Sequence, residues 1–226
     1  MKAAPKLILL FKDQECFSDA IFDALQPTSD SHLHRSEEDF QLSLEDYGIT
    51  EHKARGKIAY FSEDNGVLQI SLLLVNCSEP PLLSCVVNEI LKTIRDSSSS
   101  STVCLTVPCI LPAAKLIKGK RSSVYGIHIG PATKFTEDMT KAIEKPPLSL
   151  QINYEPLACL LQFVNCLKFP TAVLIGERGT KGEHEVLHEI GEILASAFSL
   201  SFMKNQIKLS LRETAKPQEP WRALYG

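Results

Sequence analysis

Lys57-Ile58-Ala59-Tyr60-Phe61-Ser62-Glu63-Asp64-Asn65-Gly66-Val67-Leu68-Gln69-Ile70-Ser71-Leu72-Leu73-Leu74-Val75 is the stretch whose reading decides the fold. Residues 57–62 and 67–75 are rich in aliphatic and aromatic side chains of the kind that pack on a pleated surface, and the Asn65-Gly66 step between them marks a tight hairpin turn. Beyond this pair the period changes. Pro80 and Pro81 open a segment reaching to about Arg95 in which Leu83, Val86, Val87, Ile90, Leu91 and Ile94 recur at helical spacing. A buried strand at residues 103–107 is expected next.

Working outward, residues 6–11 read as a short strand, and residues 15–25 as a helix with Phe17, Ala20, Ile21, Ala24 and Leu25 on one side. Residues 27–41, polar with two histidines, read as a mobile loop, and the serines at 97–101 as a flexible connector. On the far side come a strand at 125–129, a polar helix at 133–143 and an irregular link at 146–152. Glu155 and Pro156 then start an apolar helix to Leu167, which Pro170 ends, and a β-branched strand follows at 171–175. A glycine-bearing loop from Gly176 to Gly182, a helix at 183–198 and a last strand at 206–211 complete the body. Strands alternating with helices, several of the strands apolar throughout, imply an α/β fold: one open sheet with helices on both faces, made mixed by the hairpin. The expected organisation is a single domain over residues 1–212 and an extended C-terminal arm over 213–226.

The 226 residues are 44% hydrophobic, ample for a sizeable core. A formal charge of -3 and a pI near 6.1 argue against a nucleic-acid-binding surface. The one basic cluster, Lys115, Lys118, Lys120 and Arg121, reads as a solvated loop. Seven cysteines lie in or beside apolar runs without CxxC spacing, the pattern of reduced core thiols in a cytoplasmic or nuclear protein. The apolar run after Lys6 is too short for a signal sequence, and no stretch approaches a membrane span.

Two patterns compete for the function. His184, Glu185, Val186, Leu187 and His188 spell HExxH, in which two histidines one helical turn apart share a metal and the glutamate acts as general base; the alternative function is therefore a zinc-dependent hydrolase at 184–188. Against it, Val186, Leu187, Ile190, Ile193, Leu194, Ala197 and Phe198 form the apolar face and leave the histidines on its flank. Glu183 and Glu189 bracket the motif, and no third histidine follows. A third reading, a small-molecule site, rests on the 176–182 loop, which joins a strand to a helix as phosphate loops do but matches no phosphate fingerprint and carries Glu177. No serine sits in a nucleophile elbow, His128 reads as a core histidine, and the Glu37–Glu38 pair falls in the expected loop. Neither a catalytic residue, a metal site nor a cofactor is expected.

The second pattern is Leu224, Tyr225 and Gly226: an apolar residue, an amphipathic ring and a terminal carboxylate that a lysine or a backbone nest can capture. Pro217 and Pro220 keep the preceding arm extended, so that from Glu213 it spans at most roughly 45 Å at about 3.3 Å per residue. Trp221 is a candidate second anchor.

The segment from Pro156 to Leu174, an apolar helix stopped at Lys168, Phe169 and Pro170 and followed by a buried strand, resembles proteasome assembly chaperone 1, as do the order of elements from Lys57 to Val107 and the hydrophobic-Tyr-any terminus. The likeness covers roughly residues 55–226. The first 50 residues align poorly and the serine insertion is this chain's own, which suggests a divergent, plant-type branch. The resemblance implies a non-enzymatic chaperone that forms a heterodimer with proteasome assembly chaperone 2 on the ring of proteasome α subunits. Tyr225 and the Gly226 carboxylate would enter a groove between adjacent α subunits, with neither nucleic acid nor membrane as a partner.

Overall fold

The computed structural model describes residues 1–97, 102–111, 124–148, 150–177, 183–205 and 207. In chain order its elements are β1 (Lys6–Phe11), α1 (Phe17–Ala24), β2 (Leu25–Pro27), β3 (Leu33–Leu44), β4 (Ile49–Glu63), β5 (Leu68–Val75), α2 (Leu82–Ser97), β6 (Cys104–Leu111), β7 (Val124–Ile129), α3 (Lys134–Lys141), α4 (Glu155–Cys166), β8 (Thr171–Glu177), α5 (Glu183–Phe198) and β9 (Leu200–Phe202). Seven strands form one sheet in the order β3-β4-β5-β1-β6-β8-β7. Its centre, β5-β1-β6-β8, is parallel, and antiparallel pairs close both flanks.

The alternation of a strand explains the two layers of helices. Along β1, Leu7, Leu9 and Phe11 enter the core under α2 and α4, whereas Ile8 and Leu10 enter the core under α1 and α5. Val173 and Ile175 of β8 join the first core, and Ala172 and Leu174 the second. The mixed sheet with helices on both faces is therefore the one expected. Its hairpin turn also forms as the residues dictate: Gly66 takes a φ of 80°, the Asn65 side-chain carbonyl accepts from the Val67 N–H at 2.8 Å, and the Gly66 N–H donates to Glu63 at 2.8 Å.

Several expectations need correction. Most of residues 27–41 is not a mobile loop: β3 is a twelve-residue edge strand, paired with β4 from Leu33 opposite Glu63 to Leu44 opposite Ile49. Its polar character follows from position, since only Phe40 and Leu44 along it are fully buried residues, while Glu37, Glu38 and Asp39 stand in water and blunt the open edge. Arg35 ties this edge to the body. Its side chain is 8% exposed, donates to the Phe22 carbonyl at 3.0 Å at the end of α1, lies over the Phe22 and Phe61 rings and pairs with Glu37 at 2.7 Å.

The last strand also differs. Ser199, at a φ of 56°, turns the chain back immediately after α5, so that Leu200–Phe202 pairs antiparallel with Leu25–Pro27 as a separate small sheet. Of the strand expected at 206–211, Ile207 is helical and buried, and the remainder lies outside the described residues. Residues 98–101 lie outside them as well, while Ser97 ends α2.

Gly56 lies where the hairpin crosses the core: a Cβ there would overlap the Leu74 carbonyl oxygen and the Phe40 ring. Because backbone cannot yield as a side-chain tip can, Gly56→Ala is expected to destabilise the fold by about 3 kcal/mol in urea unfolding. A change below about 0.5 kcal/mol would contradict this packing.

Candidate functional site

In an open α/β sheet, ligands sit beyond the carboxyl ends of the strands where successive connections leave for opposite faces. Here a crevice opens at the carboxyl ends of β1 and its neighbour β6, beside the point where β1 continues into α1 on one face and β5 into α2 on the other. Phe11, Asp13 and Phe17 wall it on one side, Pro108, Cys109 and Ile110 on the other, and Tyr154 closes it from the start of α4. The space left is about 50 Å³. That is room for a water or two, far short of the roughly 300 Å³ that a small-molecule ligand needs.

The anion position of the crevice is also taken. One Asp13 carboxylate oxygen accepts from the Glu15 and Phe17 N–H groups at 3.0 and 3.1 Å, and the other accepts from the Ser18 N–H at 2.8 Å. A carboxylate of the chain itself thus satisfies the amides at the start of α1 to which a phosphate would bind. Asp13 was visible in the sequence only as the charge that ends the first apolar run, because the cap position itself is held by Cys16, whose side chain makes no capping bond.

The nucleophiles around the crevice are held protonated. Burial pushes the Cys109 thiol up to about 12, with the Asp13 charge acting the same way. Partial desolvation of its sulfur also raises the thiol of Cys77, an otherwise exposed residue whose Sγ lies 3.8 Å from the Tyr154 hydroxyl, and burial moves the Tyr154 phenol well above its ordinary value. All seven cysteines are free, but only Cys104 is buried as a residue; Cys77 and Cys166 are exposed, which corrects the expectation of core thiols.

The HExxH helix packs as its apolar face requires, with Val186, Leu187, Ile190 and Leu194 buried and Glu185, Glu189 and Glu192 at the surface. His188 is half-buried with its ring 6.1 Å from and edge-on to that of Phe202. The His184 side chain lies outside the described residues. Among those described, no group of three or more histidine, cysteine or carboxylate side chains is placed to hold a metal ion. In the third candidate, Gly176 is glycine because a Cβ would overlap Val186 and Ile190, while residues 178–182 are outside the description.

His128 is half-buried rather than a core residue; its Nε2 donates to the Pro131 carbonyl at 3.0 Å. Glu37 and Glu38 are occupied structurally, Glu37 by Arg35 and Glu38 by the Tyr60 hydroxyl, which donates at 2.7 Å. Leu224, Tyr225, Gly226 and Trp221 lie outside the described residues, as does the basic cluster at 115–121. A larger opening that sequence patterns did not reveal, about 630 Å³, separates α3 from α5.

Two measurements check this picture. Under brief iodoacetamide treatment of native protein at neutral pH, Cys166 should be alkylated well before Cys109, and Cys109 reacting faster than free cysteine would show an activated thiol. Elemental analysis should find zinc far below one equivalent per chain, and one firmly held zinc would reinstate the histidine motif.

No curated protein matches this sequence. Among solved structures, Pyrococcus furiosus PbaB, an archaeal proteasome activator, superposes with a TM-score of 0.59 at 10% identity over 94% of this chain and 91% of its own. P. furiosus PbaA, an archaeal homologue of proteasome-assembly chaperone, gives 0.56 at 14% over 94% and 90%. A protein of unknown function from Thermoplasma acidophilum gives 0.56 at 14% over 99% and 89%. At these identities what is shared is the fold. The family assignment comes instead from the sequence, which matches over residues 1–226 the model described as a domain of unknown function, DUF7894, and the chain belongs to that family.

Proposed function

We propose that this chain is a non-enzymatic proteasome assembly chaperone, the counterpart of proteasome assembly chaperone 1, acting in the cytoplasm and nucleus. It pairs with proteasome assembly chaperone 2 and binds the α-subunit ring of the core particle while that ring is being assembled. The observation that carries the reading is the sharing of one fold, over more than nine-tenths of the chain, with PbaA and PbaB. The filled crevice agrees with it, because a body whose opening between β1 and β6 is closed by Asp13, Tyr154 and Pro108 has its surface to offer to a partner.

In this proposal Leu224, Tyr225 and the Gly226 carboxylate insert between adjacent α subunits, with Trp221 as a second anchor. Ordering an arm costs about 1 to 2 kcal/mol per residue, so a three-residue contact alone binds weakly. A body interface, by holding the arm close, raises its effective concentration. Pro217 and Pro220 lower the cost by restricting the unbound arm.

Affinity purification of the endogenous protein should recover a second assembly chaperone and proteasome α subunits; recovery of neither would overturn the proposed function. Deleting residues 224–226, or appending one residue after Gly226, should weaken α-ring binding by about tenfold or more, equivalent to roughly 1.4 kcal/mol, while leaving partner pairing intact. Unchanged ring binding would remove the tail from the mechanism but not the chaperone from the ring.

A further inference from the structure

α3 and α5 lie on the same face of the sheet and meet where the Phe135 ring abuts Phe198 edge-on, with centroids 5.3 Å apart. Away from that contact they leave the groove of about 630 Å³, floored by Val124 and Met139. Ile143 and Ile193 show apolar surface within it, both half-buried. Such a cleft is large enough to take several apolar side chains of another segment.

The charged side chains that line the groove are all acidic, with the Lys204 ammonium at Glu192 and the Lys6 ammonium over Phe135 at its margins. Asp138 and Glu144 border the groove on the α3 side, Glu189 and Glu192 on the α5 side, and among the described residues none of the side chains lining it is a lysine or arginine. One rim position already shows what it accepts: Glu192 takes the ammonium of Lys204 at 2.9 Å. A ring of carboxylates around an apolar floor repels an acidic segment and favours a basic one, and it does so most strongly where the floor excludes water.

We infer that the α3–α5 groove is a docking site for a partner protein segment that presents apolar anchors flanked by lysine or arginine. An amphipathic helix would lay its apolar stripe on the floor, with its basic residues meeting Asp138 and Glu144 on the α3 side, while Glu192 on the α5 side already pairs with Lys204. This surface goes beyond the proposed tail contact and does not depend on it, since the groove is built entirely from the body. It offers the body-level contact that a weakly binding arm needs.

The test uses the full-length protein and a fluorescein-labelled amphipathic peptide of leucine and lysine, about four helical turns long, with a leucine–glutamate peptide of the same pattern as comparison. Fluorescence anisotropy should show the lysine peptide binding at least tenfold tighter. The double variant Asp138→Lys with Glu144→Lys should weaken that binding at least tenfold at unchanged Tm. Ala142→Arg, at an exposed wall position, should block the groove in a folded protein even if Ile193→Asp on the floor unfolds it. Equal affinity for the two peptides, or lysine-peptide binding indifferent to Ala142→Arg and to the charge reversal, would overturn the inference. So would sedimentation showing a dimer that Ala142→Arg dissociates, because the occupant would then be a second copy of this chain. Loss of ring binding on tail deletion bears on the arm alone, so the two proposals fail separately.

Discussion

Neighbouring residues of a strand point to opposite faces, so the run from Leu7 to Phe11, each residue at most 5% exposed, needs a covering layer on both sides of the sheet. At about 1.5–3 kcal/mol for each large apolar side chain buried, the five residues amount to roughly 10 kcal/mol, comparable with the net stability of a whole domain. Uncovering either face would forfeit much of that. This constraint sends α1 to one face and α2 to the other, and α1, leaving the end of β1, walls one side of the crevice between β1 and β6.

What fills the crevice decides what kind of molecule results. Folds of this architecture place phosphates and cofactors there because helix amides are left unsatisfied and the strands stop short. Here Asp13 satisfies the amides, and Phe17, Pro108 and Tyr154 occupy the volume. The thiols and phenol beside them are kept neutral by burial. A group that must be desolvated in its charged form to act is poorly placed for catalysis and well placed for packing.

The architecture was legible because its signals are local and redundant. Asn65-Gly66 specifies its turn through the φ of Gly66 and the side-chain acceptor of Asn65, the apolar period of Leu83 to Ile94 is that of a helix, and Glu183 to Phe198 has the bounds its pattern set. Edge structure was not legible: β3 gains its stability from a ladder with β4 and has little buried surface to advertise, so residues such as Glu37, Glu38 and Asp39 read as loop. The brief β2–β9 pairing leaves no periodic trace in three residues. At the crevice, the identity of Asp13 and Tyr154 was plain but their convergence was not, because it depends on parallel strands placed side by side by long crossovers. The same holds for the groove, whose carboxylates come from α3, the chain just after it and α5.

The small sheet joins chain segments made far apart in time. Leu25–Pro27 pairs with Leu200–Phe202, and the Ser201 hydroxyl donates to the Gln26 carbonyl across 175 positions of sequence. At about 5–20 residues per second on a ribosome, roughly 10 to 35 s separate the synthesis of the two strands. During that interval Phe17, Ile21 and Phe22 of α1 lack the α5 side chains that share their core, and an apolar helix waits beside an unfinished sheet. A protein proposed to shield nascent assemblies would thus itself pass through a vulnerable stage of synthesis, when its own first helix most needs protection from other exposed chains.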